Sequence, residues 1–207
     1  MKRSSSPTSR FRTISWYLAG LLLLCACWRL ITPVAALIDP LWSTARLSCT
    51  PACSLTLDPV QLLDREERVQ ARTMAGVEQR ISSGLEVAGV RAAIIGSRVL
   101  RALPEVFFFL ALGFAARAFA RSGIERRTLA WLRAAMWSAL VWPVAGSVAH
   151  ALNSWATMPM VAGQREVHVG VYPQDLISGL VVAACLRLMI WALEEALTLR
   201  ADSDDYV

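Results

Sequence analysis

Three ionisable residues, Arg29, Glu105 and Arg187, lie inside long apolar stretches of the sequence. A charged side chain in hydrocarbon is costly to bury, so each is a candidate for an ion pair, a polar cavity or a transport route. Arg29 and Glu105 both fall in the outer third of their stretches. We weigh two arrangements: the two side chains pair across a helix interface, which offsets the cost of burial, or each reaches separately to the membrane surface.

Arg187 lies deeper in its stretch, nearer the C-terminal end. One hypothesis places its guanidinium in a polar cavity. The other two are structural: the side chain extends to the headgroups, or it pairs with Glu194 or Glu195 near the end of the same stretch. We favour a structural role.

Cys49 and Cys53 enclose three residues in the first long connection. In an oxidising compartment two cysteines this close are a candidate disulfide, and the small loop that they would close predicts a modest stabilisation. Free thiols are the second interpretation. A redox role is the third, although redox pairs are usually separated by two residues.

No constellation of residues predicts an enzyme. The sequence has no glycine-rich phosphate loop, no HExxH metal motif and no GxSxG elbow. The two histidines, His150 and His168, have no cysteine or carboxylate at a spacing typical of a metal or haem site. We therefore expect no catalytic residues, no metal and no cofactor.

The apolar stretches themselves predict an integral membrane protein. Only 18% of the residues are charged and 56% are hydrophobic, whereas soluble domains carry about a quarter charged residues. About 20 apolar residues are needed to cross a bilayer, which predicts an all-α bundle of four spans in a single membrane domain. The predicted spans are residues 14–35, 100–119, 132–152 and 176–193.

The arginines orient these spans. Basic residues are concentrated in the tail 1–13 and the turn 120–131, whereas the loop 153–175 carries only Arg165. Because short basic connections stay in the cytoplasm, we expect both termini, including the tail 194–207, to be cytoplasmic. The insert 39–99 and the loop 153–175 are then periplasmic. Arginine outnumbers lysine strongly, which is typical of a GC-rich bacterial genome, so the predicted location is the bacterial inner membrane.

The first span also imitates a signal peptide, with a lipoprotein-like cysteine at Cys27. We favour a retained span over a cleaved signal or a lipoprotein, because apolar sequence continues to Ile38 and three further spans follow.

The periplasmic insert is predicted to be partly helical. Asp58-Pro59 is typical of a helix start, and Asp64 and Arg68 stand four apart, a stabilising spacing on a helix. An apolar face recurs every three or four residues, and the helix either lies on the membrane surface or runs into the second span. Pro104 marks a bend or the start of that span. The positions on the apolar face are Met74, Val77, Ile81, Leu85 and Ala88.

Elsewhere, valines alternate with other residues over 167–172, which predicts half of a hairpin. Gly113, Gly146 and Gly179 favour close helix packing.

The second half of the chain has a distinctive order of segments. A basic turn lies at residues 120–123, and an arginine-flanked segment at 129–133 begins the third span. The last span continues into Glu194-Glu195-Ala196-Leu197 and an acidic end, Asp205-Tyr206-Val207. Over about residues 107–207 this order resembles the bacterial four-span membrane proteins of domain-of-unknown-function family 2975. The resemblance implies a four-helix membrane fold, with no activity and no catalytic residues. Some members are encoded beside small helix-turn-helix regulators, which suggests membrane-linked regulation. The long segment 41–98 departs from the compact family pattern.

Two functions follow as hypotheses. The first is a non-enzymatic membrane protein that binds or regulates a protein partner through the basic turn and acidic tail or through the insert. The second is a small transporter or channel component in which Arg29, Glu105 and Arg187 line a polar path. The expected partners are the lipid bilayer and one protein of unknown identity, and the sequence is compatible with a homo-oligomer. Direct nucleic-acid binding is not expected, because the arginines flank spans and form no separate basic domain.

Overall fold

The computed structural model describes residues 7–49, 53–63, 68, 69, 71, 75–122, 124–157 and 173–204. Within these ranges the chain forms five α-helices and one two-stranded antiparallel sheet. The elements are, in order, helix α1 (Pro7–Ile38), strands β1 (Ala45–Cys49) and β2 (Cys53–Leu57), and helices α2 (Val77–Leu85), α3 (Ala88–Ser122), α4 (Arg126–Thr157) and α5 (Pro173–Asp204).

Four of these helices, α1, α3, α4 and α5, are long and apolar enough to cross a membrane. They carry large apolar side chains that stay exposed in the folded chain, among them Trp28, which is 74% exposed, and Leu188, which is 64% exposed. Extended apolar surface of this kind marks a region that contacts lipid or a partner and not water. The predicted all-α class, a membrane bundle of four helices, is confirmed.

The second spanning helix begins well before the apolar stretch, at Ala88, and runs through Pro104. Pro104 therefore lies inside this helix and does not begin it. Proline removes one backbone hydrogen bond, but a membrane helix tolerates this loss where neighbouring helices supply polar contacts. Ser138 on α4 provides one such contact, since its hydroxyl donates a hydrogen bond of 2.6 Å to the Pro104 carbonyl.

A short β-hairpin opens the insert that follows α1, and the sequence did not predict it there. In its register Ala45 lies opposite Leu57, and Cys49 lies opposite Cys53. The insert is therefore partly helical, as expected, with a strand pair added. The half-hairpin expected at residues 167–172 lies outside the described residues.

The helix start expected at Asp58-Pro59 leads only into a short 3-10 turn, Pro59–Leu62. The Asp58 carboxylate caps that turn by accepting a hydrogen bond of 3.1 Å from the Val60 amide. Of the expected helix pair Asp64 and Arg68, Asp64 lies outside the described residues.

Helix α2 carries the predicted apolar face, because Val77, Ile81 and Leu85 are all buried. It begins after Gly76, whose φ of 74° is a left-handed conformation that glycine adopts without steric cost. Glu86 and the residue after it separate α2 from α3, so α2 does not run continuously into the second spanning helix. Of the other predicted face positions, Ala88 is exposed and Met74 lies outside the described residues.

Backbone contacts divide the chain into two compact units. Unit 1 comprises Met1–Arg29, Leu103–Pro143 and Pro173–Val207. Its core is formed by α3, α4 and α5 and is rich in alanine, which allows membrane helices to approach closely. The buried core residues are Ala111, Ala115, Leu129, Leu132, Ala135, Leu186 and Ile190.

Unit 2 comprises Leu30–Ala102 and Val144–Tyr172. Here the core contains side chains from the insert, from α2, and from the parts of α3 and α4 that belong to this unit. Three of the ten buried core residues are alanine and seven are larger aliphatic residues, as expected of packing that buries apolar surface from water. Its buried core residues are Val60, Leu62, Leu63, Ala71, Val77, Ile81, Leu85, Ala93, Ile94 and Ala156.

Two of the three glycines that were expected to allow close packing do so, both in unit 1. A Cβ added at Gly179 would lie 2.6 Å from Cγ of Pro143 and 2.8 Å from the Ala139 carbonyl oxygen. One added at Gly113 would lie 3.2 Å from the Leu23 side chain. Gly146, in unit 2, faces open space.

Candidate functional site

The structure brings Arg29 and Glu105 together. Nε of Arg29 lies 3.2 Å from Oε2 of Glu105, which joins α1 to α3 within unit 1. The Glu105 side chain is only 12% exposed, whereas that of Arg29 is 55% exposed. The carboxylate is thus neutralised where it is buried, while the long arginine side chain stays largely on the surface. Of the two arrangements considered from the sequence, the structure shows the ion pair across the helix interface.

A small cavity of about 70 Å³ adjoins this ion pair. Its walls are mostly aromatic and aliphatic, and the Ser138 hydroxyl is already committed to the Pro104 carbonyl. A cavity of this size holds a few waters at most, and its walls do not form a continuous polar path. It is lined by Arg29, Pro104, Glu105, Phe108, Phe109, Ser138, Ala139 and Trp142.

Arg187 is not part of that arrangement. It is exposed on α5 and lines none of the three cavities described for this chain. The pairing considered with Glu194 gives way to a different one, because Arg133 of α4 forms a salt bridge with Glu194. Arg133 approaches from the neighbouring helix, a contact that sequence spacing along a single helix cannot indicate.

Cys49 and Cys53 are directly opposite each other in the register of the hairpin. Opposed residues of an antiparallel pair have Cα atoms about 4.5 to 5.5 Å apart, and this distance falls in the range that a disulfide requires. Their side chains lie outside the described residues, so the candidate disulfide stays a prediction. Among the described cysteines, Cys25, Cys27 and Cys185 are free.

A basic cleft lies beside the turn between α3 and α4, and the sequence indicated only its charge. It has a volume of about 310 Å³. Three arginines and one glutamate contribute to it, together with aromatic rings. We call it the basic cleft; its lining residues are Phe114, Arg117, Ala118, Arg121, Ser122, Glu125, Arg127 and Trp131.

Trp16 of α1 holds two of these arginines. The guanidinium carbons of Arg117 and Arg121 each lie 5.7 Å from the centre of its ring. A cation over an aromatic face within about 6 Å is attracted to the ring. Trp16 thereby orients two of the positive charges of the basic cleft. Phe114 and Trp131, which also line the basic cleft, pack with their ring centres 4.9 Å apart and their planes inclined by 35°.

No group of three histidine, cysteine or carboxylate residues that could hold a metal occurs among the described residues. His150 lies in a pocket of unit 2, and His168 falls outside the described residues. No protein-family model, curated protein or solved structure matches the chain. The basic cleft and the Arg29–Glu105 ion pair are therefore the two features of the chain that bear on its function.

Proposed function

We propose that this chain is a non-enzymatic, multi-pass protein of the bacterial inner membrane that binds an acidic segment of a partner protein in the basic cleft. In this proposal both termini and the basic cleft face the cytoplasm. The insert and the loop 153–175 face the periplasm. The distribution of arginines along the sequence supports this orientation, because short basic connections are retained in the cytoplasm.

The arrangement of charges in the basic cleft is the observation that carries the proposal. Arg117, Arg121 and Arg127 line it, against a single carboxylate from Glu125. Guanidinium groups bind carboxylates with two parallel hydrogen bonds, a geometry well suited to aspartate and glutamate side chains. The contact of Arg117 and Arg121 with Trp16 restricts both side chains before a partner arrives, which lowers the entropy cost of binding.

The aromatic wall adds a second element of recognition. Phe114 and Trp131 form a pair of tilted, packed rings beside the charges. Interfaces commonly place aromatic and arginine side chains together where most of the binding energy arises. An acidic segment that also carries an apolar residue would satisfy both parts of the basic cleft.

The resemblance to domain-of-unknown-function family 2975 supports the same function. Its members include proteins encoded beside small regulators, so a membrane protein that captures an acidic protein segment is consistent with membrane-linked regulation. Membership of that family is itself part of the proposal.

Site-specific photocrosslinking in native membranes tests this function. A photoreactive amino acid in place of Ser122, which is exposed and lines the basic cleft, is expected to crosslink to one protein. Mass spectrometry then locates the crosslinked peptide, which we expect to be rich in aspartate or glutamate. Arg121→Glu is expected to lower the yield by about tenfold or more, because like charges oppose docking.

Arg126→Glu is the matched control, since Arg126 is an exposed arginine of the same turn that does not line the basic cleft. It should leave the crosslink nearly unchanged. Crosslinks confined to lipid, or to the acidic tail of the same chain, contradict the proposal. Equal loss in the two variants would show that only the overall charge of the turn matters.

The alternative, a transporter or channel component, has less support. It requires Arg29, Glu105 and Arg187 on one polar route, but the first two form an ion pair beside mostly apolar walls, and Arg187 lies exposed elsewhere on α5. Solute flux into liposomes that contain the purified chain, abolished by Glu105→Gln, would favour this alternative.

A further inference from the structure

Arg187 lies at the middle of the last spanning helix. The apolar span of α5 covers Gln174–Leu199, which places Arg187 about 20 Å after its first residue and about 18 Å before its last. The Arg187 side chain is exposed, and the surface around it is apolar, since Leu188 is 64% exposed. In a membrane this surface contacts hydrocarbon unless another helix covers it. Arg187 therefore presents a charge where an uncompensated charge is most costly.

The chain offers Arg187 no counterion at this depth. Among the described residues its side chain makes no hydrogen bond, salt bridge or ring contact. The full sequence gives the reason, because Glu105 is the one carboxylate in the interior of a span and it is already paired with Arg29. Every other carboxylate falls in a connection, in the tail or near an end of α5. Those near the ends of α5 are Asp175, Glu194 and Glu195.

The membrane surface is also hard for Arg187 to reach. The nearer end of the span is the C-terminal one, where Glu194 forms its salt bridge with Arg133. This level lies about 10 Å from Arg187 along the helix axis, which is farther than an arginine side chain extends. Side chains on an α-helix also tilt toward its N-terminus, so that of Arg187 leaves the backbone in the direction away from the nearer end. Extension to the headgroups, which suits arginines close to a span end, does not suit this one.

The exposed residues beside Arg187 form a line suited to helix packing. Leu180, Ala184, Arg187 and Trp191 recur at alternating intervals of four and three residues, a spacing that brings side chains onto one side of a helix. All four are exposed. Ala184 is small, which lets a neighbouring helix come close to the guanidinium, and Leu180 and Trp191 supply apolar surface on either side. We call these four residues the α5 seam.

We propose that the α5 seam binds a transmembrane helix of a partner protein that carries an aspartate or glutamate at mid-membrane depth. The carboxylate accepts two parallel hydrogen bonds from the Arg187 guanidinium, and each charge compensates the other in hydrocarbon. A second copy of the chain does not supply this group, because Glu105 is already paired and a two-fold contact along the seam would set Arg187 against Arg187. The inference is independent of the proposed function of the basic cleft, which other residues form.

A designed transmembrane peptide tests the charge complementarity. The full chain, with a donor fluorophore at its C-terminus, is reconstituted in phosphatidylcholine vesicles with an acceptor-labelled leucine–alanine helix of about 23 residues. One form of the peptide has a central glutamate, and the other has leucine at the same position. Energy transfer measures the association of each form with the chain. We expect the glutamate form to bind about tenfold more tightly than the leucine form.

Arg187→Leu is the principal variant, and it should abolish the preference for the glutamate peptide. Because Arg187 is exposed, its replacement leaves the core intact. Arg187→Lys keeps a positive charge at the same position and should retain most of the preference. Arg126→Leu is the matched control, since Arg126 is an exposed arginine at the start of α4, and it should retain the full preference. The proposal is overturned if the wild type binds both peptides equally, or if Arg187→Leu and Arg126→Leu behave alike.

Photocrosslinking in native membranes tests the natural partner. A photoreactive amino acid in place of Ala184 is expected to crosslink to an apolar stretch of about 20 residues that contains an aspartate or a glutamate. Arg187→Leu should lower the yield by about tenfold. Crosslinks confined to lipid would show that headgroups compensate Arg187, and crosslinks confined to a second copy of the chain would show self-association. Either result overturns the proposal, as does a partner stretch that has no carboxylate.

Discussion

The two compact units use arginine in opposite ways. In unit 1, Arg29 meets a buried carboxylate from Glu105, and the cavity beside them is mostly apolar. In unit 2, Arg68, Arg98 and Arg101 converge on a pocket whose described walls carry no carboxylate. The first arrangement satisfies its charges within the chain. The second gathers three guanidinium groups, from the insert and from α3, at one small pocket.

This difference separates structural from functional charge in a membrane protein. An intramembrane charge is a functional candidate by default, yet a charge with a local counterion is explained by stability alone. Like charges held together are unfavourable unless something offsets their repulsion. The arginines of unit 2 that lie near the predicted span ends resemble ordinary topology signals in the sequence.

The largest expected effect tests the close packing of unit 1. Gly179→Ala places a methyl group against the Pro143 ring and the Ala139 carbonyl, neither of which can move easily. We expect a loss of about 3 kcal/mol in the free energy of unfolding, measured by denaturant titration in mixed micelles. Gly146→Ala in unit 2 meets open space and serves as the control. Similar losses in both variants would contradict the packing difference between the units.

The hairpin of unit 2 provides the next effect. If Cys49 and Cys53 are joined, replacing both with serine should lower stability by about 2 kcal/mol through the freedom gained by the unfolded chain. Alkylation before and after reduction, followed by mass spectrometry, shows whether the thiols are protected. Full alkylation without reductant in membranes from oxidising conditions would contradict the disulfide and would also count against a periplasmic insert.

Breaking the matched charges of unit 1 should have a smaller effect. We expect Glu105→Gln to cost about 1 kcal/mol, because Arg29 is half exposed and can turn toward the surface. A double-mutant cycle with Arg29→Ala measures the coupling. If Arg29→Ala costs the same in the wild type and in the Glu105→Gln background, the ion pair contributes nothing to stability.

The smallest effect is expected at Arg101 of unit 2, an exposed residue of α3. Arg101→Gln should change the unfolding free energy by less than about 0.5 kcal/mol, since it relieves repulsion as it removes surface contacts. The same measurement at low and high salt sharpens the comparison, because screening weakens exposed charge interactions. A large loss of stability would mean that Arg101 has a structural counterion and that the contrast between the units is wrong.

The sequence predicted the membrane class and the four long helices because apolar length alone determines them. It also indicated the Asp58 cap and the buried face of α2, both of which depend on local spacing. The β-hairpin was missed. Its strands are only five residues each, and short strands with mixed side chains give little periodic signal.

The contacts between helices were harder to predict. Arg29 with Glu105 was one of two arrangements, and the sequence could not decide between them. Three further features were not predicted. They are the salt bridge of Arg133 with Glu194, the contact of Trp16 with two arginines, and the pocket that Arg68, Arg98 and Arg101 line. Each depends on the rotation of one helix against another, which side-chain packing determines and which the spacing of residues in a single helix does not encode.

The pairing of Gly179 with Pro143 and of Arg133 with Glu194 has a consequence for assembly. Both contacts join α4 to α5, and they lie at different heights along the two helices. A slide of α5 by one turn, about 5.4 Å, would bring a side chain onto the proline ring and at the same time draw the carboxylate away from its arginine. The two contacts thus favour a single register of the last helix against α4 as it enters the bilayer and docks.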